Sequence, residues 1–140
     1  MEVQINVWAV LLATASSMVV GSIWYAQAVF GKEWMRLANV KTPSSQDMWK
    51  PLATTLIVSL ITAYVLAHVS FIANEYFGNS FLQDAVTTSL WLWLGLTAAR
   101  FITHDAFEGR RKKLTLINIG NEFVTILVMG LIIGLFGSPA

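Results

Sequence analysis

Cysteine is absent from all 140 residues, which excludes a disulfide framework, a thiolate metal site and a cysteine nucleophile, and leaves the redox compartment unread. Charge is scarce as well: Lys, Arg, Asp and Glu make up 12% of the chain, against about a quarter in ordinary soluble domains. A formal net charge of +1 gives no field that would gather nucleic acid or acidic substrates. No base precedes Lys32, so the first apolar run lacks the positive leader of a secretory signal and is expected to be retained. Ala26-Gln27-Ala28 has the small-residue spacing of a cleavage site, in the wrong context for one.

Apolar residues are abundant, at 56% against about 45–50% in soluble domains. That excess points to lipid as the solvent. A helix needs about 20 mainly apolar residues to cross the hydrocarbon core, because lipid offers backbone polar groups no partner. Four segments meet the requirement: Val3 to Phe30, Leu52 to Ala73, Leu82 to Ile102 and Leu114 to Phe136. The expected fold is all-α, a single bundle of four transmembrane helices, and the chain length leaves no room for a second domain.

The bases set the orientation, since short cytoplasmic loops accumulate Lys and Arg. Of the nine, Lys32, Arg36, Lys41 and Lys50 lie between spans one and two, and Arg110 to Lys113 between spans three and four. Arg100 sits at the same end of span three. Both basic loops are therefore expected in the cytoplasm of a cell membrane, with both termini outside and anionic lipid drawn to the bases. Trp8 and Tyr76 mark one interface, and Trp24, Tyr25, Trp34 and Trp49 the other. In the first loop, Lys32 to Ala38 alternates bases with Trp34, Met35 and Leu37, which predicts a short interfacial helix. Pro43, Ser44 and Ser45 break it, and Pro51 suits the first turn of the next helix.

Small residues at every fourth position mark faces where helices in lipid approach closely. Span one carries Ala9, Ala13, Ser17 and Gly21; span two Thr55, Ser59, Ala63 and Ala67; span three Gly95 and Ala99; span four Gly130 and Gly134. These stripes serve packing within the chain or contact between subunits, and Gly130 with Gly134 is the best subunit-contact candidate. Trp91 and Trp93 fall in mid-span, either filling space with their indole nitrogens bonded across the bundle or offering a surface to a lipid tail or another apolar ligand.

Ionisable groups within a span are the default place to look for function. Glu122 lies well inside span four, with Asn118, Asn121 and Thr125 making one face polar. On span three, Arg100, His104 and Glu108 recur every four residues, and a continuous helix would put Arg100 near the depth of Glu122 and His104 opposite Asn118. The cluster is then either an ion pair that sets helix register or a proton or cation site in which Glu122 titrates, Arg100 tunes it and His104 relays to the cytosol. Asp105 and Glu108, beside four bases, read as a charged, solvated turn, and His68 as a bonded packing residue. His68 and His104 lie toward opposite faces and cannot share a metal; no cofactor is indicated. Phosphate-binding loops, serine elbows and zinc-type histidine pairs are absent from the sequence.

Trp24-Tyr25, Phe30-Gly31-Lys32-Glu33-Trp34, Phe107-Glu108-Gly109-Arg110, Leu114, Ile117-Asn118-Ile119-Gly120 and Met129-Gly130 resemble a bacterial family of small four-span membrane proteins catalogued only as domain of unknown function 1761. The likeness runs over nearly the whole chain. It departs at Ala26-Gln27, where the family typically has Ser-Pro, and at Asn121-Glu122, where an aromatic more often follows the glycine. The resemblance implies the architecture and brings no activity, cofactor or catalytic residue. The leading functional expectation is a non-enzymatic membrane component, self-assembling or an accessory subunit of a larger complex. The second is a small oligomeric proton or cation transporter or channel built on Arg100, His104 and Glu122.

Overall fold

In the computed structural model, which describes residues 3–41, 44 and 46–137, Asn6 starts the first helix by accepting a bond from the Ala9 amide at 3.2 Å. This helix, α1 (Val7–Trp24), ends six residues before the predicted Phe30. Ala26 is extended, and a single π turn (Gln27–Gly31) reverses the chain into a seven-residue helix, α2 (Lys32–Ala38), over the residues for which the sequence predicts one. The early end has a tertiary cause. Trp24, Tyr25 and Trp34 all find hydrogen-bond partners on the last helix, and a straight α1 would carry Tyr25 and Trp34 past them. Gly31 permits the fold-back: a Cβ there would collide with the Tyr25 carbonyl oxygen and lie 2.8 Å from its carbon. Of the predicted break after α2, Pro43 and Ser45 lie outside the described residues.

The second span, α3 (Trp49–Phe77), exceeds its predicted bounds at both ends, with Pro51 in its first turn and left-handed Gly78 closing it. Its 29 residues make a helix of about 43 Å, well over the roughly 30 Å hydrocarbon core. The third span is one apolar run in three parts: α4 (Phe81–Leu92), a π segment (Trp93–Ala98) and α5 (Ala99–Phe107). The fourth is α6 (Lys112–Phe136). All four spans are long and apolar enough to cross a membrane, and the described residues contain no strand.

The spans form a ring in the order α1, α3, α4, α6, in which every neighbouring pair is antiparallel and α3 and α6 face each other diagonally with little contact. The end of the ring that holds the start of α1, the end of α6 and the α3–α4 connection is tightly packed. Ala13, Ala63 and Ala85 are each 0% exposed there, among Leu66, Met129 and Ile133. Alanine on three facing helices lets the backbones close in, which lipid-phase association favours. Across the α3–α4 connection, buried Asp84 accepts from Asn74 at 2.8 Å and from Asn79 at 2.9 Å.

The predicted stripes divide along the bundle. Ala9, Ala13 and Ser17 are buried as packing residues, but a Cβ on Gly21 would meet nothing within 4 Å, so the stripe of α1 runs out into open space. Gly95 is likewise open. Gly130 and Gly134 correct the subunit-contact expectation, because α4 occupies the face they offer. A Cβ would sit 2.7 Å from Ser89 Oγ at Gly130 and 2.7 Å from the Leu82 Cα at Gly134.

Candidate functional site

The amino-terminal half of α3 stands away from the ring. From Trp49 to Val58 every residue except half-buried Ala53 is exposed. Between this half-helix, the end of α1 and the middle of α6 lies a cavity of about 610 Å³. Ser17, Gly21 and Tyr25 line it from the α1 side, Thr55, Ser59 and Thr62 from α3, and Asn121, Glu122 and Thr125 from α6. The α6 residues share one helical face. Small side chains that pack against one another at the closed end leave this space where α3 diverges. Glu122 is the one charged lining residue, and it makes no ion pair among the described residues. Beside it, Asn121 Oδ1 and Thr125 Oγ1 are buried without a hydrogen-bond partner. Buried polar atoms left in this way are uncommon in native structures and mark places where water, an ion or a ligand belongs.

The predicted pairing of Arg100 with Glu122 is not formed. Glu122 faces the α1–α3 cavity, whereas Arg100 and His104 are exposed on a separate groove of about 420 Å³ with Glu108 and Arg110. The π segment is the reason: each π turn takes in a residue more than an α turn, so everything after Ala98 is rotated from where a continuous α-helix would put it. What faces α6 from α5 is Asp105. It is 6% exposed, accepts from Thr115 Oγ1 at 2.6 Å and lies 3.7 Å from Arg110 Nε. Asp105 is therefore a buried anchor of the last hairpin, correcting the expectation of a solvated charge; Glu108, bonded to Arg110 at 2.6 Å, is exposed as expected. His104 is also not opposite Asn118, whose side-chain oxygen is engaged by α1 and α2 aromatics. His68 packs its ring 6.1 Å from that of Tyr64, but its buried Nδ1 has no bond, contrary to the bonded role expected.

Of the mid-span tryptophans, Trp93 donates to the Ile119 carbonyl at 3.0 Å and meets Phe123 edge-on at 4.8 Å. Trp91, 69% exposed, stays on the outer surface. The aromatics expected at the cytoplasmic interface behave differently from one another: Trp49 is exposed, but Trp24, Tyr25 and Trp34 turn inward. Trp24 Nε1 donates to the Ile117 carbonyl at 3.1 Å, and Asn118 Oδ1 accepts from both Tyr25 (3.2 Å) and Trp34 Nε1 (2.9 Å). The Trp24 ring lies so close to Gly120 that a Cβ there would be 3.0 Å from it. Thus three of the segments that carry the family resemblance, those around Trp24-Tyr25, Gly31 to Trp34 and Ile117 to Gly120, meet at one node, where the α1–α2 corner is latched to α6. Sequence reasoning placed Asn118 in a polar face without finding these donors; the polar face was the only signal.

Glu33 completes the latch from outside the spans. It accepts from Arg36 at 3.0 and 2.6 Å and pairs with Lys113 Nζ at 2.8 Å, tying α2 to the start of α6. The Arg36 bonds first, then Lys113, hold its carboxyl at about 2, below the ordinary 4.5. A carboxylate whose folded value is depressed stabilises the fold above its unfolded value and loses that contribution as pH falls through the folded one. Thermal unfolding in detergent between pH 5 and 2 should show the wild type losing stability more steeply than Glu33→Gln. Parallel curves would show that the bridge contributes nothing.

No curated protein and no solved structure gave a significant match to this chain. The sequence model of one family, described as "Protein of unknown function (DUF1761)", matches residues 8–134. That stretch takes in all four spans, the latch and the cavity, and the chain belongs to the DUF1761 family.

Proposed function

We propose that this multi-pass protein is a small membrane carrier that binds a cation in the α1–α3–α6 cavity, with Glu122 as its counter-charge. The observation that carries the reading is a carboxylate facing a cavity of about 610 Å³ to which no described Lys, Arg or His contributes. A lone acidic group at membrane depth is expensive unless something neutralises it, and no side chain among the described residues pairs with it. The cavity is one-sided, closed toward the termini by the alanine-rich packing. It opens at the end that carries Lys32, Arg36, Lys50 and Arg110 to Lys113, which the distribution of bases assigns to the cytoplasm, with α2 lying in the interface and both termini outside a cell membrane. This is the transport expectation with a different constellation: Asn121 and Glu122 remain in the site, and Arg100 and His104 leave it.

Flux through liposomes tests it. Proton and monovalent-cation uptake should be measured for wild type and Glu122→Gln. A charge-assisted contact contributes roughly 1.5–3 kcal/mol, so the variant should lose about ten- to a hundredfold in apparent affinity. Equal signals at the level of empty vesicles would end the carrier reading. A self-assembling or accessory role is favoured by the outward apolar residues on the stand-off half of α3, Leu56 and Ile57, and a stable hetero-oligomer without flux would select it.

A further inference from the structure

The hydroxyl groups around the cavity have a direction. Ser17 Oγ donates to the Thr14 carbonyl at 2.7 Å and Ser22 Oγ to the Met18 carbonyl at 2.7 Å. On α3, Thr54 donates to Lys50 at 2.9 Å, Thr55 to Pro51 at 2.8 Å and Thr62 to Val58 at 3.0 Å. The Tyr25 hydroxyl donates away from the cavity as well, to Asn118 Oδ1 at 3.2 Å. A hydroxyl has one hydrogen and two lone pairs. With their hydrogens committed to a helix carbonyl or to Asn118, these six hydroxyls offer an occupant lone pairs, while Ser59 and Thr125 keep a hydrogen to donate as well.

Two further groups add acceptors. Asn121, 8% exposed, has its side-chain oxygen buried and unpartnered, and the Glu122 carboxylate accepts only. A ligand offering carbonyl or carboxylate oxygens would find its free donors in the Ser59 and Thr125 hydroxyls and the Asn121 amide nitrogen, and would face the Glu122 carboxylate. An occupant rich in N–H meets the more numerous groups of the wall, its acceptors. Size narrows the class further: about 610 Å³ falls in the roughly 300–1,000 Å³ range of organic-ligand sites, far more than a bare inorganic ion fills. Leu52, Val58, Ile126 and Met129 complete the lining with an apolar surface for a hydrocarbon body.

We infer that the cavity takes an organic primary ammonium ion, its several N–H bonds donated to the hydroxyl, amide and carboxylate oxygens and its alkyl part laid against α3 and α6. This rests on the cavity being a cation site and adds to it the requirement for donors. Each bond from a charged donor is worth roughly 1.5–3 kcal/mol, so replacing the N–H hydrogens by methyl groups should weaken binding at least about tenfold per bond lost.

Calorimetry on the full chain in nanodiscs, with butylammonium, butyltrimethylammonium, 1-butanol and sodium as probes, tests the point. Butylammonium should bind at least tenfold more tightly than the other three. Thr55→Val with Thr62→Val, which removes two acceptors and keeps side-chain shape, should narrow the gap between the two ammonium ions without altering binding of the trimethyl probe. Equal binding of butylammonium and butyltrimethylammonium would overturn the donor requirement and leave the cation site standing. Sodium or proton flux that depends on Glu122 but is indifferent to butylammonium would do the same. Absence of both flux and binding would remove the cation reading beneath it.

Discussion

Gly31→Ala should be the most damaging single-methyl change in the chain. The new Cβ meets the backbone of Tyr25 and Ala26, and backbone cannot swing aside as a side-chain tip does. Overpacking of this kind is expected to remove about 3 kcal/mol, seen as a lowered thermal midpoint in detergent. Because α2 must move for the methyl to fit, Trp34 would leave Asn118, so its fluorescence should shift red before global unfolding. Gly21→Ala is the matched control, since its Cβ meets nothing within 4 Å and alanine is the better helix former by about 1 kcal/mol. Equal midpoints for the two variants would disprove the tight corner.

Asn118→Leu should be of comparable or greater cost for a different reason. Asn118 Oδ1 is the acceptor for Trp34 Nε1 and the Tyr25 hydroxyl. Leucine of similar volume would leave two donors without their partner, at about 1–3 kcal/mol each where they are buried, giving a loss of about 2–6 kcal/mol. Asn118→Gln retains an acceptor and should recover part of it. A midpoint for Asn118→Leu within error of wild type would show that the latch is not a source of stability. The variant should also change ligand preference: the Tyr25 hydrogen, released from Asn118, becomes a donor beside Glu122 and relaxes the bias toward ammonium.

The four spans were legible because run length and the polar connections that bound each run are local properties that lipid enforces strongly. The short helix at Lys32–Ala38 was legible from another local pattern, the alternation of its bases with Trp34, Met35 and Leu37. The early end of α1 was not, since no proline or glycine stands at Tyr25 and Ala26; the corner is set by partners on α6 more than 80 residues away in sequence. The polar cluster was half readable. Glu122 and Asn121 line one cavity, as neighbours on α6 can, but projecting Arg100 and His104 onto them assumed an uninterrupted α-helix, and the π segment at Trp93–Ala98 breaks that assumption. The cavity itself lay beyond the pattern of small residues. A stripe of Ser, Thr and Gly says that side chains are short; whether a neighbour closes on them, as α4 does on Gly130, or stands off, as α3 does from Gly21, depends on how the helices diverge.

The length of α3 makes the bilayer itself part of the site. A helix of 29 residues in a hydrocarbon core of about 30 Å lies tilted or projects beyond it, and its tilt follows membrane thickness. Its far half is clamped to α1 and α4 by alanine packing, so a change of tilt is taken up by the free half, the wall that carries Thr55, Ser59 and Thr62. On the proposed carrier reading, a thicker membrane would draw that wall toward the bundle axis and a thinner one would splay it, so lipid composition would set the width of the cavity mouth.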